Sequence, residues 1–371
     1  MTLGPDPARR DLDARVLAWM REPAWRLDAA RFEALALELF AFQWERCQPY
    51  RRFCERRGVR PATLSRWEDI PAVPTGAFKE LELRSFPVER SAHVFRTSGT
   101  STSARGALHL DTVELYEASL LPSFARFVLP DLAPGERAPI FVLAPSPHEV
   151  PDSSLSHMFG VVLRELATPE SGFFLREGAL RTDELLAALA RASERGGRVA
   201  LCGTAFGFVF LLDELARRGR TLALPPAARI METGGFKGRS RELGSDALYA
   251  EIEARLGVPA SRIVNQYGMT ELGSQFYDSL LRLPGEPRRK LGPPWARVKL
   301  VEPVGGGPAP EHEIGAIAVV DLANTGSVLA LQTADLGRRI GDGFDVLGRE
   351  PGAEARGCSI AADELLSQAD T

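Results

Sequence analysis

Strand-like and helix-like segments alternate along the middle of this 371-residue chain, and that alternation most limits the folds open to it. Short apolar runs end at Gly or Pro and are followed by amphipathic segments of helical length. The pattern predicts strands at 198–203, 228–235 and 261–268, with helices at 205–219 and 245–257 between them. Strands that alternate with helices of this length favour a mainly parallel sheet covered by helices. We therefore expect an α/β fold.

Different sequence patterns flank this middle region. Residues 11 to about 57 carry apolar side chains at helical spacing, which predicts a helical lead within residues 1–85. After about residue 290 the pattern becomes strand-like, with glycine-rich turns and an Asp-Gly pair at 342–343 that is typical of a hairpin. We expect an α/β core over residues 1–290, and a smaller β-rich subdomain with a short tail over residues 291–371.

Composition narrows the functional class. The chain is 44% hydrophobic and 25% charged, as globular proteins with a sizeable core are. Its 45 basic and 49 acidic residues give a formal net charge of −4, with no basic excess for nucleic acid or an anionic membrane surface. The polar first residues are not signal-like, and the longest apolar run, 199–212, is too short for a transmembrane segment. We expect a cytoplasmic protein without a nucleic-acid partner.

The four cysteines have neither metal-ligand nor disulfide-framework spacing. Cys47 and Cys54 lie seven residues apart, which predicts one face of a single helix, and Cys202 lies in an apolar run and is expected in the core. Cys358 differs, because a cation and a glycine precede it near the end of the sequence. A mechanism that needs a lysine has four candidates. They are Lys79, Lys237, Lys290 and Lys299.

The first candidate site is the segment TSGTSTSARG at 97–106, which is rich in hydroxyl side chains and ends with a cation. Backbone N–H groups and hydroxyls in such a loop can wrap a polyphosphate while the cation offsets its charge. Its spacing is not that of the GxxxxGK[ST] loop of kinases and small GTPases. Composition alone leaves a flexible surface loop as the alternative. The candidate ligands are Thr97, Ser98, Gly99, Thr100, Ser101 and Arg105.

Three further segments carry groups suited to a nucleotide. NQYGMTE at 265–271 follows a predicted strand, at the sheet edge where open α/β folds bind ligands. Its aromatic ring, hydroxyl and carboxylate can stack on a base, hold a phosphate and bind Mg²⁺. Gly234 and Gly235 let a flat ligand approach the backbone, and Asp335 can take ribose hydroxyls with Arg349 nearby. The candidates within 265–271 are Gln266, Tyr267, Gly268, Thr270 and Glu271.

Together, the order and spacing of these segments resemble the adenylate-forming superfamily, which includes acyl-CoA synthetases and firefly-type luciferases. The phosphate loop of that superfamily, TSGTTGxPKG, here reads TSGTSTSARG, with Thr102, Ala104 and Arg105 in place of Gly, Pro and Lys. Its YGxTE motif is intact at 267–271. TAD at 333–335 resembles its TGD motif, and Gly-Arg at 348–349 resembles its hinge motif.

The resemblance implies roles for individual residues. Tyr267 would pack on adenine, Thr270 would meet the phosphate, and Glu271 would bind Mg²⁺. Asp335 would bind ribose. The segment SHMFG resembles one that lines the acid pocket and makes His157 a candidate catalytic residue, with a structural histidine as the alternative. The superfamily also implies an adenylate-forming large-domain fold, with ATP and Mg²⁺ as cofactors.

The likeness is closer to one branch, the LuxE-type acyl-protein synthetases of bacterial luminescence, and extends over nearly the whole chain. It includes residues 69–80, 264–278 and 348–359. A cysteine near the C-terminus of that branch takes the acyl group from the adenylate as a thioester, and by position the same role is implied for Cys358. The branch also implies a fatty acid substrate and a reductase, transferase or carrier-protein partner. Another biosynthetic acid is the alternative substrate.

Three functions stay open at this point. The first is ATP-dependent activation of an acid with transfer to Cys358. The second is an adenylate-forming ligase that passes the acyl group to CoA, a carrier protein or an amine, and the third is a non-catalytic nucleotide-binding scaffold. Most of the superfamily carries a further mobile domain that delivers a lysine, and no lysine follows Cys358 here. Lys237, Arg105 or a partner's cation would then take its place.

Overall fold

The computed structural model of the protein describes residues 6–97, 105–234, 244–302, 309–310 and 313–349. The α-helices in these ranges are α1 (Pro7–Met20), α2 (Ala29–Arg46), α3 (Gln48–Arg56), α4 (Glu114–Val128), α5 (Ser154–Leu166), α6 (Thr182–Glu194), α7 (Ala205–Arg217) and α8 (Ser245–Leu256). The strands are β1 (Val73–Pro74), β2 (His93–Arg96), β3 (Ala107–Leu110), β4 (Ile140–Leu143), β5 (Gly172–Phe173), β6 (Leu175–Arg176), β7 (Ala179–Leu180), β8 (Ala200–Thr204), β9 (Arg229–Thr233), β10 (Ile263–Tyr267), β11 (Phe276–Asp278), β12 (Lys290–Leu291), β13 (Ala296–Val301), β14 (Ile314–Asp321), β15 (Ala330–Ile340) and β16 (Gly343–Arg349).

The chain divides into two compact units, and each takes more than one stretch of sequence. The first unit comprises residues 1–120, 269–275 and 292–371, and the second comprises residues 121–268 and 276–291. The candidate motif at 265–271 is therefore shared, because its Gly268 belongs to the second unit and its Met269 to the first. The domain boundary expected at residue 290 stays a prediction.

The second unit is built on the parallel sheet that the sequence pattern predicts. Its strands lie in the order β5, β4, β8, β9 and β10, all parallel, followed by the antiparallel strands β11 and β12. Apolar side chains of α6, α7 and α8 form one buried core with those of the sheet. The expected α/β fold, a mainly parallel sheet with flanking helices, is confirmed.

Helix α7 shows how closely helix and sheet pack in this unit. The Thr204 side chain accepts a hydrogen bond from the Gly207 N–H and so begins the helix directly at the end of β8. A Cβ atom added at Gly207 would lie 2.5 Å from the carbonyl oxygen of Leu143 in β4. Only glycine therefore lets this helix come so near the neighbouring strand.

The first unit combines the helical lead with antiparallel strands. Helices α1 to α3 all lie within residues 7–56, as the helical spacing predicts. Strands β13, β14, β15 and β16 form an antiparallel meander, and β1 adds to β15 in parallel. The expected hairpin joins β15 and β16, but it turns at Gly341 and Asp342, one residue before the predicted Asp-Gly pair, because Gly343 already belongs to β16.

One sequence expectation about the cysteines is wrong. Cys47 and Cys54 do not share one helix, because α2 ends at Arg46 and α3 begins at Gln48, with Pro49 in its first turn. A proline there lacks an N–H group and so starts a new helix instead of continuing the old one. Both thiols are buried, as is that of Cys202, which lies in the core as expected.

Within the described residues, no helix combines the length and the apolar character that crossing a bilayer requires.

Candidate active site

In the second unit, two neighbouring strands bring four predicted ligands to one edge of the sheet. β9 and β10 run in parallel with Thr233 opposite Gln266, so Gly234 leaves β9 beside the end of β10. The Thr233 hydroxyl donates to the carbonyl oxygen of Gln266 over 3.2 Å and ties the two ends together. Among the described residues, no atom lies within 4 Å of a Cβ built on Gly234, so no described group crowds the backbone there. The structure therefore brings Gly234, Gln266, Tyr267 and Gly268 together.

Glu232 lies one residue before this edge and serves a structural purpose. The Tyr249 hydroxyl donates to its carboxylate over 2.7 Å, and the Asn265 side-chain amide donates over 2.6 Å. Burial raises the pKa of Glu232, and it also raises the pKa of Tyr249. A buried carboxylate that two side chains hold in place fixes β9 against β10 and α8.

Lys290 extends the same network, and sequence reasoning did not assign it a place. Its ammonium group donates to the backbone oxygen of Asn265 over 2.9 Å and to the Asp278 carboxylate over 2.7 Å. Arg288 also donates to Asp278, over 2.6 Å. Both side chains of this pair are buried, since Lys290 is 6% exposed and Asp278 is 3% exposed. Lys290 thus holds the strand that carries Gln266 and Tyr267. In the sequence, only the small number of lysines, four in all, drew attention to it.

His157 lies in the first turn of α5 and is half-buried. Ser153 caps the start of the helix, because its side-chain oxygen accepts a hydrogen bond from the Ser156 N–H. This helix follows the loop that leaves the carboxyl end of β4, which is the same edge of the parallel sheet as the ends of β9 and β10. A Cβ added at Gly160 would lie 3.0 Å from Pro147, so the helix packs closely on that loop.

In the first unit, β2 and β3 form the base of the hydroxyl-rich loop. The N–H of Thr97 donates to the carbonyl oxygen of Gly106 and the N–H of Gly106 donates to the Thr97 hydroxyl, both over 2.9 Å. The Arg105 guanidinium donates to the carbonyl oxygens of Thr97, over 2.7 Å, and of Arg96, over 3.3 Å. Arg105 therefore ties the two ends of the loop together, and its guanidinium places a positive charge at the base of the loop.

Thr270 and Glu271 also belong to the first unit. The Thr270 hydroxyl lies 3.5 Å from the carbonyl oxygen of Arg96, the last residue of β2, although the two are 174 positions apart in sequence. Glu271 is 7% exposed. The fold of this unit thus places the Thr270 hydroxyl at the base of the hydroxyl-rich loop, with Glu271 next to it in sequence.

Asn324 holds the chain at Glu271, and sequence reasoning did not find it. Its side-chain amide donates to the carbonyl oxygen of Glu271 over 2.8 Å. Gln43 of α2 in turn donates to the carbonyl oxygen of Asn324 over 2.7 Å. The segment NTG at 324–326 reads in sequence only as a turn, so nothing there pointed to this contact.

Asp335 and Arg349 face each other across β15 and β16. The strand register places them opposite one another, and the guanidinium and carboxylate are 3.5 Å apart. The Arg349 side chain is 61% exposed and that of Asp335 is 17% exposed. The two side chains that the sequence analysis expected near each other are therefore adjacent.

Several predicted site residues lie outside the described residues. They are Ser98, Gly99, Thr100 and Ser101 of the hydroxyl-rich loop, Gly235, Lys237 and Cys358.

The described side chains fit a magnesium site of the kind that depends on a nucleotide. Thr270 and Glu271 offer a hydroxyl and a carboxylate, which are hard oxygen ligands. No group of three or more His, Cys, Asp or Glu side chains in the described parts of the chain could hold a metal ion. Mg²⁺ commonly binds through one or two carboxylates together with substrate phosphates, so the Mg²⁺ site expected at Glu271 does not require such a group.

The three described cysteines are poor nucleophiles. Burial raises the pKa of the Cys47 thiol to about 11 and that of Cys54 to about 12. Burial also raises the pKa of Cys202, which lies in the second unit. Because the thiolate is the reactive form, none of these three is suited to accept an acyl group.

A family comparison decides the relationship that the motifs suggest. The family described as "Acyl-protein synthetase, LuxE" matches residues 10–367. The chain belongs to the LuxE family of acyl-protein synthetases. The resemblance to this branch is confirmed, and this LuxE-family chain is an ATP-dependent ligase of the acyl-protein synthetase type.

Two relatives of this LuxE-family chain carry the name long-chain-fatty-acid–luciferin-component ligase. The protein from Aliivibrio fischeri is 22% identical over 309 residues, which are 82% of this chain and 78% of that protein. The protein from Vibrio harveyi is 21% identical over 338 residues, which are 88% and 86% of the two chains.

Solved structures of 2-hydroxyisobutyryl-CoA ligase share the fold of this synthetase. The open conformation, with 2-HIB-AMP and CoA, is similar with a TM-score of 0.60 and 17% identity over 87% of this chain and 76% of that chain. The postadenylation state with R3-HIB-AMP gives a TM-score of 0.61 and 16% identity, over 88% and 69% of the chains. The expected adenylate-forming fold is therefore confirmed.

Proposed function

We propose that this acyl-protein synthetase activates a fatty acid with ATP and Mg²⁺ and transfers the acyl group to its own Cys358. One observation carries the proposal for the first half-reaction. The Thr270–Glu271 pair lies beside Arg96, at the base of the hydroxyl-rich loop. Two segments that the sequence separates widely thus form one oxygen-rich, cation-bearing site, which is what the phosphates of ATP need.

The first half-reaction makes the acid a good acyl donor. A carboxylate oxygen attacks the α-phosphorus of ATP, the bond to the β-phosphate oxygen breaks, and pyrophosphate leaves with the electron pair. Such phosphoryl chemistry depends on in-line positioning and charge stabilisation. In the proposal, residues 97–105 hold the phosphates, and Glu271 and Thr270 hold Mg²⁺. The bound ion would offset the negative charge of the phosphates. Tyr267 packs on adenine and Asp335 binds ribose.

The second half-reaction needs a thiolate. The sulfur attacks the acyl carbon, the bond from that carbon to the phosphate oxygen breaks, and AMP leaves. A thiolate is a strong nucleophile near neutral pH, and burial suppresses it in Cys47, Cys54 and Cys202. Cys358 is the remaining cysteine of the chain, and we assign the acceptor role to it.

The choice of a fatty acid rests on the two relatives, whose shared name specifies a long-chain fatty acid. In the proposal His157 lies at the acid site, since its helix leaves the same sheet edge as the nucleotide segments. We further propose that a reductase or transferase collects the thioester, because a covalently held acyl group is useful only to an enzyme that takes it off.

The test follows both half-reactions in one preparation. The wild type, with Mg²⁺ and a panel of radiolabelled acids, is expected to exchange pyrophosphate into ATP and to acquire a protein-bound label that hydroxylamine removes. Cys358→Ser is expected to exchange pyrophosphate as the wild type does, but to lose the label. Cys54→Ala is the matched control, because its thiol is buried, and it should keep the label.

Three outcomes would contradict parts of the proposal. A label that persists in Cys358→Ser would assign the acceptor to another residue. Free acylation of CoA, a carrier protein or an amine without any protein label would favour an adenylate-forming ligase with an external acceptor. Binding of ATP without exchange for any acid would instead indicate a nucleotide-binding scaffold.

A further inference from the structure

Asp321 is fully buried at the end of β14, and its carboxylate accepts hydrogen bonds from the segment that follows Glu271. The Ser274 N–H donates to its Oδ2 and the Ser274 hydroxyl to its Oδ1, each over 2.7 Å. The Ala323 N–H donates to Oδ1 over 3.0 Å. All of these groups lie in the first unit. One carboxylate thus ties residue 274 to the turn after β14.

The hydrogen-bonded chain continues beyond Ser274. The Ser119 and Ser274 hydroxyls lie 2.9 Å apart, and the indole N–H of Trp295 donates to Ser119 over 2.8 Å. All three side chains are buried. The row therefore runs from Trp295 through two hydroxyls to Asp321, and each buried polar group in it has a partner.

The same turn also holds the other end of the segment. Asn324 donates to the carbonyl oxygen of Glu271, and a Cβ added at Gly273 would lie 2.7 Å from Ala323 and 2.9 Å from the Asn324 side-chain oxygen. The turn at 321–324 therefore contacts the chain at 271, at 273 and at 274. Contacts at residue 271 itself and at residues 273 and 274 leave the backbone at Glu271 little freedom to rotate.

We propose that Asp321 and Asn324 are positioning residues that hold the Glu271 carboxylate in place for a magnesium–nucleotide complex. The inference rests on the proposed role of Glu271 as the Mg²⁺ ligand and adds the residues that orient it. Neither residue is assigned contact with the substrate. Mutation of a group that orients a metal ligand typically costs roughly 10–100-fold in metal affinity or activity.

A carboxylate suits position 321 better than its amide. Asp321 accepts three of the hydrogen bonds given above, two of them from backbone N–H groups on its two different oxygens. In Asp321→Asn, either orientation of the amide turns its NH₂ group toward a backbone N–H, so one donor faces another. The shape of the side chain is kept, while one of the two backbone hydrogen bonds, from Ser274 or from Ala323, is lost and the attachment of residue 274 to the turn is weakened.

The experiment compares Asp321→Asn with Ser119→Ala. Ser119→Ala disturbs the same buried row but leaves both hydrogen bonds between Ser274 and Asp321 in place. Calorimetry measures ATP binding at increasing Mg²⁺, and the Mg²⁺ midpoint is the concentration that gives half of the maximal binding. This midpoint should rise roughly tenfold in Asp321→Asn and stay unchanged in Ser119→Ala. Backbone N–H exchange at residues 273 and 274 should accelerate only in Asp321→Asn. Thermal unfolding identifies variants that fold, and Asn324→Ala replaces Asp321→Asn if the latter does not fold.

A purely structural role would give another result. In this case the wild type exchanges pyrophosphate, both variants lose the same thermal stability, and neither variant changes the Mg²⁺ midpoint. That result would overturn this inference and leave the proposed function standing. A Glu271→Gln variant that keeps the wild-type Mg²⁺ midpoint would remove Glu271 as the ligand, and the present inference would fall with it.

Discussion

At the scale of single residues, Glu271 combines a charge with near-complete burial. The residue is 7% exposed, and buried carboxylates are typically held by hydrogen bonds, ion pairs or metal ions. We expect Glu271→Gln to abolish Mg²⁺-dependent pyrophosphate exchange while the protein stays folded, because the phosphate charge loses its metal ligand. Exchange assays and circular dichroism measure the two effects. The control is Glu114→Gln, which alters a carboxylate that is 56% exposed in the same unit.

Exchange at the wild-type rate in Glu271→Gln would contradict the assignment of this residue to the metal. Loss of exchange in the Glu114→Gln control as well would show that the assay reports a general loss of charge rather than a lost ligand.

Asp335 provides a second prediction at this scale. Its carboxylate pairs with Arg349 over 3.5 Å, and the side chain of that arginine is 61% exposed. We expect Asp335→Ala to weaken ATP binding by about 1.5–3 kcal/mol, the typical strength of hydrogen bonds to a charged group. Titration calorimetry measures it, with Asp342→Ala in the nearby exposed turn as the control. An unchanged ATP affinity would remove Asp335 from the nucleotide site.

At the scale of elements, the ion pair between Asp131 and Arg229 ties the turn after α4 to the start of β9. Arg229 donates to Asp131 over 3.1 Å, and its side chain is 1% exposed. The hydrogen bond from Arg229 lowers the pKa of Asp131 from 3.8 to about 2. The folded state therefore keeps this carboxylate ionised at a pH where the unfolded chain binds a proton.

We expect Asp131 to contribute its full stabilisation above about pH 4 and to lose it as the pH falls toward 2. Asp131→Asn should lower the free energy of unfolding at pH 7 by about 1–2 kcal/mol, a value reduced because half of the Asp131 side chain faces solvent. Urea unfolding across the pH range measures both effects. A variant whose stability falls between pH 4 and pH 2 as steeply as the wild type would contradict the prediction.

At the scale of the whole molecule, the residues assigned to adenylation and the residue assigned to acyl transfer separate along the chain. Every assigned nucleotide residue lies at or before Arg349, and Cys358 lies after it. We expect a chain shortened to residues 1–349 to exchange pyrophosphate and to form no hydroxylamine-labile label. The pair of assays described above measures this. Loss of exchange in a shortened chain that still folds would show that residues 350–371 take part in adenylation.

The parallel sheet, the helical lead and the antiparallel strands after residue 290 could be predicted because each depends on local periodicity. Apolar side chains at helical or strand spacing indicate which face of an element is buried, and this signal does not depend on distant parts of the sequence. The YGMTE motif at 267–271 and the hydroxyl-rich loop were recognisable for a related reason, since a nucleotide needs a few residue types in a fixed local order. Family membership followed from the order of those motifs.

Contacts between distant segments were decided by the tertiary structure alone. Nothing in the sequence places Thr270 beside Arg96, or Asp321 on the N–H of Ser274, because each contact depends on how strands far apart in sequence come to pair. Burial gives the same lesson for Lys290, which the sequence analysis names only as one of four candidate lysines and which the structure makes a buried partner of Asp278. The sequence by itself determined which chemical groups the synthetase has. Folding determined which of them touch, because hydrogen bonds act over about 3 Å whatever the separation along the chain.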